Sequence, residues 1–423
     1  MFGQSCIEKW LKGQGGKCPQ CNAKAKRQDI RVLYAKSLKA VDTTERDQAL
    51  KELEREREVR KRIEMEAAQN RLQCQLATQE CTPTTSGAFS ESQVSMSQQN
   101  RSQLAGQFML DKTIKIWEAG NCRVMSYSGS LATLVVSQPS SSPLFPGFGV
   151  KKISAMDFKT AQYLTIHSKP IRDVCFHPFT DDGVLLSCGL DKTIKMTSII
   201  SNAVVQTYDV DAAVWSCVWN SDDRNLLYAG LQNGRVLEFD IRNTGTHVQQ
   251  LNTEGNRSVV SLQYVPKDQQ GAFRLHMLPL EGILTSLCFE PTTRHILASF
   301  RPTAKHPTIR HQMCELVSRS FSTDPTVIDN ICSCNIIHTF HSSRSHTMLS
   351  KTKIFPHPAD ENRLLACAGE ESSNAVHVWD TSTGQLKQQL HTGGIVVDLC
   401  SINVNQQTYL AALTSKLNYT SIV

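Results

Sequence analysis

The eight residues Leu-Asp-Lys-Thr-Ile-Lys-Ile-Trp at positions 110–117 return almost unchanged as Leu-Asp-Lys-Thr-Ile-Lys-Met-Thr at positions 190–197. The two copies lie 80 residues apart, which is twice the period of about 40 residues that WD-type blades show. In each copy an Asp suits a tight turn, and alternating Thr, Ile and Lys then suit a strand with one buried face. The repeat predicts a mainly β chain that contains a WD-repeat β-propeller.

Further copies extend the pattern along the C-terminal three quarters of the chain. Asn-Gly-Arg-Val-Leu-Glu-Phe-Asp stands at 233–240, and Asn-Ala-Val-His-Val-Trp-Asp at 374–380 ends in the Trp-Asp dipeptide. A second type of strand also repeats, at 171–178 (IRDVCFHP), 214–220 (VWSCVWN) and 284–291 (LTSLCFEP). We predict a propeller over residues 108–423. Its large aromatic residues are predicted to pack in the core or between blades rather than to bind ligands: Trp215, Trp219, Phe239 and Trp379.

The spacing of the copies predicts an incomplete ring. Phe239 and Trp379 lie 140 residues apart, which is about three and a half blades. Half a blade cannot close a ring of sheets. Either one blade is long, or a parent design of seven blades lacks part of a blade near residues 271–274. The tail, residues 410–423, is expected to supply strands to the closing blade.

Composition excludes several protein classes. Of the 423 residues, 40% are hydrophobic and 20% charged, as in ordinary globular proteins. The sequence shows no apolar run of about 18 residues and no secretory signal, so no membrane partner is predicted. The 15 cysteines are scattered and odd in number, which favours a reducing compartment, cytosol or nucleus, over a disulfide scaffold.

The N-terminal 39 residues are strongly basic. They carry nine Lys or Arg against Glu8 and Asp29, whereas the whole chain has a net charge of +6. Such a cluster suits nucleic acid or an acidic protein surface. A merely solvated surface accounts for it equally well.

Two segments separate this basic part from the propeller. Residues 42–80 are rich in Glu, Arg, Lys, Gln and Ala and lack Gly and Pro, which predicts a long helix. Its apolar seam is weak, so either a coiled coil, which would support a homo-oligomer, or a single solvated helix fits. Residues 81–107 are rich in Thr, Ser and Gln and are predicted to be a flexible linker.

A cysteine motif lies within the basic segment. Cys18-Pro19-Gln20-Cys21 is a C-x-x-C, and Cys6 opens the stretch Cys-Ile-Glu-Lys-Trp-Leu. These stretches, followed by a charged helix and a propeller, resemble RING-type ubiquitin ligases that carry a WD-repeat propeller. Residues 1–40 are similar to the C-terminal half of their RING. The resemblance implies structural zinc, held here by Cys6, Cys18 and Cys21.

The resemblance also implies a recognition surface. Ile7, Trp10 and Pro19 match the positions where a RING presents its apolar groove to a ubiquitin-conjugating enzyme. For Trp10, packing within the small module is the alternative. A RING ligase needs no catalytic residue of its own, because it accelerates transfer by holding the charged enzyme close to a substrate lysine.

The chain departs from the RING pattern in ways that affect the zinc prediction. It begins inside the pattern, so we expect an N-terminally truncated RING whose zinc site is incomplete. Gly3 stands at the fifth ligand position, and Asn22 where many RINGs carry a basic residue. In the propeller, Cys332, Cys334, His338, His341 and His346 match no standard zinc spacing.

What the resemblance implies about biology can be stated as expectations. The family acts in the nuclear DNA-damage response, including repair of interstrand cross-links, and its propeller recruits chromatin-bound replication protein A and other chromatin substrates. The nucleus, with nuclear bodies and cytoplasm as further locations, is the expected compartment. Two alternatives stay open: a non-enzymatic WD-repeat scaffold, and a nucleic-acid-binding protein that uses the basic segment.

Overall fold

The computed structural model describes fourteen stretches of the chain: residues 4–13, 16–18, 23–31, 108–117, 120–142, 146–179, 181–253, 255–267, 278, 280–321, 329–344, 346–358, 360–415 and 419–422. The chain divides into two units, Met1–Glu91 and Ser92–Val423. The predicted helix 42–80 and linker 81–107 lie outside the described residues. No helix in the described stretches has the length and apolar character needed to cross a membrane.

The first unit contains one described α-helix, α1 at Gln4–Gly13, and a 3-10 turn at Arg27–Asp29. The second unit is built of antiparallel strands. In chain order these are β1 Lys112–Lys115, β2 Met125–Ser128, β3 Thr133–Pro139, β4 Phe148–Ser154, β5 Thr160–His167, β6 Ile171–Phe176, β7 Val184–Gly189, β8 Thr193–Ser198, β9 Ala203–Asp209, β10 Val214–Trp219, β11 Leu226–Leu231, β12 Arg235–Asp240, β13 Gln249–Asn252, β14 Leu284–Glu290, β15 His295–Phe300, β16 Arg310–Phe321, β17 Asp329–His341, β18 Lys353–His357, β19 Asp360–Glu370, β20 Ala375–Asp380, β21 Leu386–His391, β22 Val396–Val404, β23 Gln407–Thr414 and β24 Tyr419–Ile422.

The strands form six four-stranded sheets. Five are simple meanders: β2 to β5, β6 to β9, β10 to β13, β14 to β17 and β18 to β21. The first strand of each meander lines a common central channel, and the fourth lies outermost. A ring of such sheets around a channel is a β-propeller, so the predicted mainly β propeller is confirmed.

The sixth sheet joins the two ends of the propeller. Its order is β22, β23, β24 and β1, and Lys112 pairs with Ile422 while Lys115 pairs with Tyr419. Ile114 of β1 is buried in one hydrophobic cluster with Leu413. The C-terminal tail therefore supplies strands to the closing sheet, as predicted.

A seventh inner segment lies between two complete sheets. Residues 257–267 lie beside β10 and β11, where the Val259 amide donates to the Leu231 carbonyl at 3.1 Å and Ser216 Oγ donates to the Val259 carbonyl at 2.7 Å. On the other side, Ser261 Oγ accepts from the Leu287 amide at 3.1 Å. Within the described residues this segment belongs to no sheet. Residues 271–274, where part of a blade was predicted to be missing, lie outside the description, so the seven-bladed parent stays a prediction.

Three of the four named aromatic residues of the repeats, Trp219, Phe239 and Trp379, are buried as predicted, whereas Trp215 is only half-buried. Phe239 is 2% exposed and its ring lies 4.8 Å from that of Tyr208. Trp379 stacks on Phe340 at 4.9 Å. Trp219 is buried, and its Nε1 donates to the Cys175 carbonyl of the preceding sheet at 3.3 Å. These side chains hold neighbouring sheets together by apolar contact and occasional hydrogen bonds.

Thr197 occupies the position that an aromatic residue takes in the other copies, and it is a weak point of the core. The side chain is completely buried, and its hydroxyl has no hydrogen-bond partner. An unpaired buried hydroxyl costs about 1–3 kcal/mol. We therefore expect Thr197→Val, which keeps the shape, to raise the free energy of unfolding by about 1 kcal/mol, measured by urea unfolding.

Thr193→Val is the matched control for this prediction. The Thr193 hydroxyl donates to Asp191 Oδ1 at 2.9 Å and lies 3.0 Å from His167 Nδ1. Its removal should lower the free energy of unfolding by about 1 kcal/mol. If both variants shifted stability in the same direction, the assignment of Thr197 as an unsatisfied core residue would be wrong.

Candidate functional site

The predicted zinc-binding segment is partly described. The Cys18 amide donates to the Ala23 carbonyl at 2.8 Å, and the Ala25 amide to the Gly16 carbonyl at 2.7 Å. An antiparallel bridge joins Lys17 and Lys24. These bonds bring together the two ends of the C-x-x-C segment. Pro19 and Cys21 themselves lie outside the described residues.

The described thiols do not complete a metal site. Cys6 is exposed on α1, and Cys18 is half-buried. In the described stretches, no three His, Cys, Asp or Glu side chains are arranged to hold a metal ion. In the RING pattern that residues 1–40 resemble, Cys6 belongs to one zinc site and Cys18 with Cys21 to the other, and each zinc takes four ligands. Both predicted zinc sites stay predictions.

Helix α1 presents an apolar surface beside this segment. Ile7 and Leu11 line a recess of about 220 Å³ together with Cys18 and Ile30. Trp10 is 43% exposed, and its Nε1 donates to the Lys17 carbonyl at 3.2 Å. Trp10 is thus fixed in orientation without being enclosed in a core. An exposed apolar group held in this way suits recognition of another protein.

The propeller contains a central channel with a cavity of about 300 Å³. Seven inner segments line it: β2, β6, β10, residues 261–263, β14, residues 351–353 with the start of β18, and β22. Residues 257–267 therefore complete the inner ring although the surrounding sheets number six. Seven inner segments thus surround the channel within the described residues.

Neighbouring inner strands are joined by a repeated polar contact. The pairing register slips near the start of four inner strands, between Ile171 and Asp173 in β6 and at the equivalent places in β10, β14 and β22. Such a bulge redirects the next side chain. Asp398 Oδ2 accepts from the Met125 amide at 2.7 Å, Asp173 Oδ2 from the Cys217 amide at 3.2 Å, and Ser286 Oγ from the Thr352 amide at 3.0 Å. These bonds fix the spacing of the blades.

Two lysines and two aspartates line the channel: Lys351, Lys353, Asp173 and Asp398. Lys351 Nζ forms an ion pair with Asp173 Oδ1. Although burial opposes its charge, the carboxylates of Asp173 and Asp398 raise the pKa of Lys351 above its ordinary value. Burial raises the pKa of Asp398 to about 6, although Lys351 acts against that shift. One lysine thus balances two carboxylates that come from different inner strands.

A hydrogen-bonded network stabilises the sheet β6 to β9. His167 Nδ1 lies 3.0 Å from Asp191, and His167 Nε2 lies 2.9 Å from Ser187 Oγ. Burial acts to raise the pKa of Asp191. The hydrogen bonds from His167, Thr193 and Ser168 have the larger effect and hold that pKa well below its usual range. This network ties the loop before β6 to the turn between β7 and β8.

Sequence reasoning did not identify the channel residues. A signal exists: Asp173, Ser216, Ser286 and Asp398 each stand third in an inner strand, a polar position in an otherwise apolar repeat. The segment at 258–266 (SVVSLQYVP) carries the same pattern. Cys334 is buried with Cys314 in an apolar cluster, where both cysteines pack as small hydrophobic residues.

Comparison with known proteins gives two consistent results. A model of the family described as "E3 ubiquitin-protein ligase RFWD3 WD40 domain" matches residues 108–275 and 267–419. The two matches meet where the seventh inner segment ends.

Three curated relatives are similar to nearly the whole chain, and each is named "E3 ubiquitin-protein ligase RFWD3". The protein from Homo sapiens is 40% identical over 466 aligned positions, which cover 99% of this chain and 59% of the relative. Those from Ailuropoda melanoleuca and Mus musculus are each 38% identical, and they cover 99% and 98% of this chain. The chain spans 59% of the length of each of these relatives.

Proposed function

This chain belongs to the E3 ubiquitin-protein ligase RFWD3 family, and on that premise we propose that it works as a RING-type ubiquitin ligase. The observation that carries the proposal is the match along 99% of the chain to relatives that are named as ligases. Helix α1 and the C-x-x-C segment recruit a ubiquitin-conjugating enzyme, and the propeller docks the substrate.

The proposed mechanism is one of position rather than covalent chemistry. The apolar recess beside Ile7, with Trp10 exposed next to it, receives an apolar loop of the conjugating enzyme. The propeller holds the substrate so that one of its lysines meets the charged ubiquitin. Such orientation converts an encounter of two molecules into an effectively unimolecular step.

The cellular setting of the proposal comes from the resemblance. We propose the nucleus as the place of action, with nuclear bodies and cytoplasm as further locations, and the DNA-damage response as the process. The substrates are chromatin proteins such as replication protein A. Zinc bound by Cys6, Cys18 and Cys21 supports the conjugating-enzyme surface, and residues 42–80 supply a homo-oligomer contact.

We further propose that residues 257–267 are the inner strand of a seventh blade. Two observations support this. The segment makes the same inter-strand contacts as the complete inner strands. The alignment to the human relative has 466 positions against the 423 residues here, so at least 43 positions of that relative lack a counterpart, about one blade.

Ubiquitin transfer in a purified system tests the ligase proposal. The whole chain, prepared with zinc, is combined with activating enzyme, ATP, ubiquitin and a panel of conjugating enzymes. We expect ubiquitin chains on the protein itself and bound zinc by elemental analysis. If no transfer occurs while the human relative is active beside it, this chain is a non-enzymatic propeller scaffold, the alternative that its seven inner segments support.

A further inference from the structure

One end of the propeller channel carries arginine side chains without acidic partners. The inner strands β6 and β10 begin at this end, which we call the mouth face. Arg172 stands second in β6, and Trp215 second in β10. Both side chains are half-buried. Both residues stand at the bulges of their strands. Their side chains therefore do not follow the regular alternation of side chains between the two faces of a sheet.

Arg172 and Trp215 form a stacked pair across a blade boundary. The guanidinium carbon of Arg172 lies 4.1 Å from the centroid of the Trp215 ring. Arg172 Nε and Trp215 Nε1 are buried and have no hydrogen-bond partner. Stacking fixes the plane of the guanidinium and leaves its two outer nitrogens without a partner in the described part of the chain. The guanidinium of Arg172 is thus held in a fixed orientation, and no acceptor in the described part of the chain binds it.

A second arginine stands beside this pair. Arg123, Arg172 and Lys351 line one small recess of about 30 Å³ at the mouth, with Ser350 at its wall. Burial first, and then the charge of Arg123, lower the pKa of Arg172. Arg123 and Arg172 make no ion pair with a carboxylate in the described stretches, and Lys351 is already paired with Asp173.

Three carboxylates of the mouth face are engaged by groups other than the two arginines. Glu370 accepts from the Ser343 and Ser372 amides, at 2.9 and 3.1 Å. Glu371 accepts from the Thr347 and Met348 amides, both at 2.9 Å. Asp191 is bound to His167. These three carboxylates therefore form no ion pair with Arg123 or Arg172, and the neighbouring Asp173 acts on Arg172 only as a minor electrostatic influence.

We propose that the mouth of the channel, formed by Arg123, Arg172 and Trp215, binds an acidic side chain of a partner protein. A carboxylate accepts two hydrogen bonds from a guanidinium in a planar, bidentate arrangement, and it relieves the repulsion between the two arginines. The recess is small and holds two uncommitted cations, which fits one carboxylate. A nucleic-acid strand needs a longer array of cations along its phosphates.

This inference rests on the proposed function, because it names the chemistry by which the propeller recognises a substrate. It states that the docking segment carries Asp or Glu at its anchoring position. It also selects the mouth face, rather than the opposite face or the outer edges of the blades, as the docking surface. Since complementary charge mainly sets specificity and association rate, neighbouring contacts supply the rest of the affinity.

A binding experiment with a defined probe tests the inference. The probe is a short fluorescein-labelled peptide of glutamate and glycine, titrated with the whole chain and followed by fluorescence anisotropy. We expect salt-sensitive binding, and no binding of the same peptide with glutamine in place of glutamate. Arg172→Glu and Arg123→Glu should each weaken binding by at least about tenfold.

Arg224→Glu is the matched control. Arg224 is exposed in the loop between β10 and β11, at the opposite end of β10 from Trp215, and the change in charge is the same. We expect its affinity to stay within about twofold of the unchanged chain. Arg172→Gln, which removes charge without reversing it, and thermal melting of every variant separate loss of binding from loss of folding.

Three results would overturn the inference: no binding of the glutamate peptide by the unchanged chain, equal loss in Arg224→Glu, or a folded Arg123→Glu that binds normally. Full competition by inorganic phosphate would assign the mouth to free anions. Tighter, arginine-dependent binding of a single-stranded oligonucleotide would assign it to nucleic acid, and either outcome also contradicts the inference. None of these measurements involves ubiquitin transfer, so failure of the ligase proposal remains a separate result.

Discussion

Replacing Lys351 with methionine is expected to lower the free energy of unfolding by about 3 kcal/mol at pH 7. The lysine pairs with Asp173, and the side chains are 32% and 11% exposed. Without it, Asp173 loses its ion pair, and the nearby cation that remains in the channel is Lys353, whose pKa is raised in part by Asp398. Breaking a buried pair by removing one partner costs more than the pair contributes, because a desolvated charge is left behind.

The decrease in the free energy of unfolding caused by Lys351→Met should be smaller at low pH than at pH 7. The folded-state pKa of Asp398 is about 6, above the ordinary value of 3.8, so the native chain holds a proton that the unfolded chain releases between about pH 4 and 6. Stability from this group therefore falls as pH rises through that window. Without Lys351 the proton is held to higher pH, so the deficit of Lys351→Met should shrink below pH 6.

Urea unfolding followed by tryptophan fluorescence at pH 5 and pH 7 measures both effects. Lys305→Met is the matched control, since the Lys305–Glu281 pair is exposed, at 70% and 72%, and exposed pairs contribute at most about 1 kcal/mol. A deficit for Lys351→Met no larger than that of Lys305→Met, or one that grows toward low pH, would contradict the assignment.

Trp10→Ala should reduce ubiquitin transfer by about thirtyfold in the purified system. Trp10 is the largest exposed apolar side chain of α1, and truncating an aromatic residue at the centre of an interface costs about 2 kcal/mol or more. Ile7→Ala removes less surface from the neighbouring recess and should have a smaller effect in the same direction. Initial rates at limiting conjugating enzyme measure the change.

The controls separate contact from folding. Lys9→Ala alters an exposed residue next to Trp10 on the same helix and should leave the rate within about twofold. Trp10→Phe loses the hydrogen bond to the Lys17 carbonyl but keeps an apolar ring. If Trp10→Phe were as inactive as Trp10→Ala, the residue would act through the local fold, and the contact prediction would fail.

The propeller could be predicted from sequence because its strands repeat one local pattern. Residues 110–117 and 190–197 share a turn residue and an alternation of apolar side chains, and both signals are local. The buried aromatic positions followed directly, since Phe239 and Trp379 stand at equivalent points of the repeat. Even Thr197 was visible as a departure from the pattern, although its unpaired hydroxyl was not.

The channel could not be predicted in the same way. The Lys351–Asp173 pair joins residues that lie 178 positions apart, and nothing in either local sequence indicates the other. The stacked Arg172 and Trp215 come from different sheets and meet only when the ring has formed. The count of blades was limited for a related reason: within the described residues, 257–267 supply one inner segment that belongs to no sheet, and a period of 40 residues does not detect a single segment.

The closing sheet has a consequence for how the chain reaches its native state. Lys112 and Ile422 pair although they are separated by nearly the whole propeller, so this contact has the highest sequence separation in the ring and the largest loop-closure entropy. During synthesis, the five meander sheets can each form from contiguous residues as they leave the ribosome, whereas β1 must wait until β24 has been translated. Until then β1 remains an unpaired strand edge, the kind of segment that chaperones bind and that promotes aggregation.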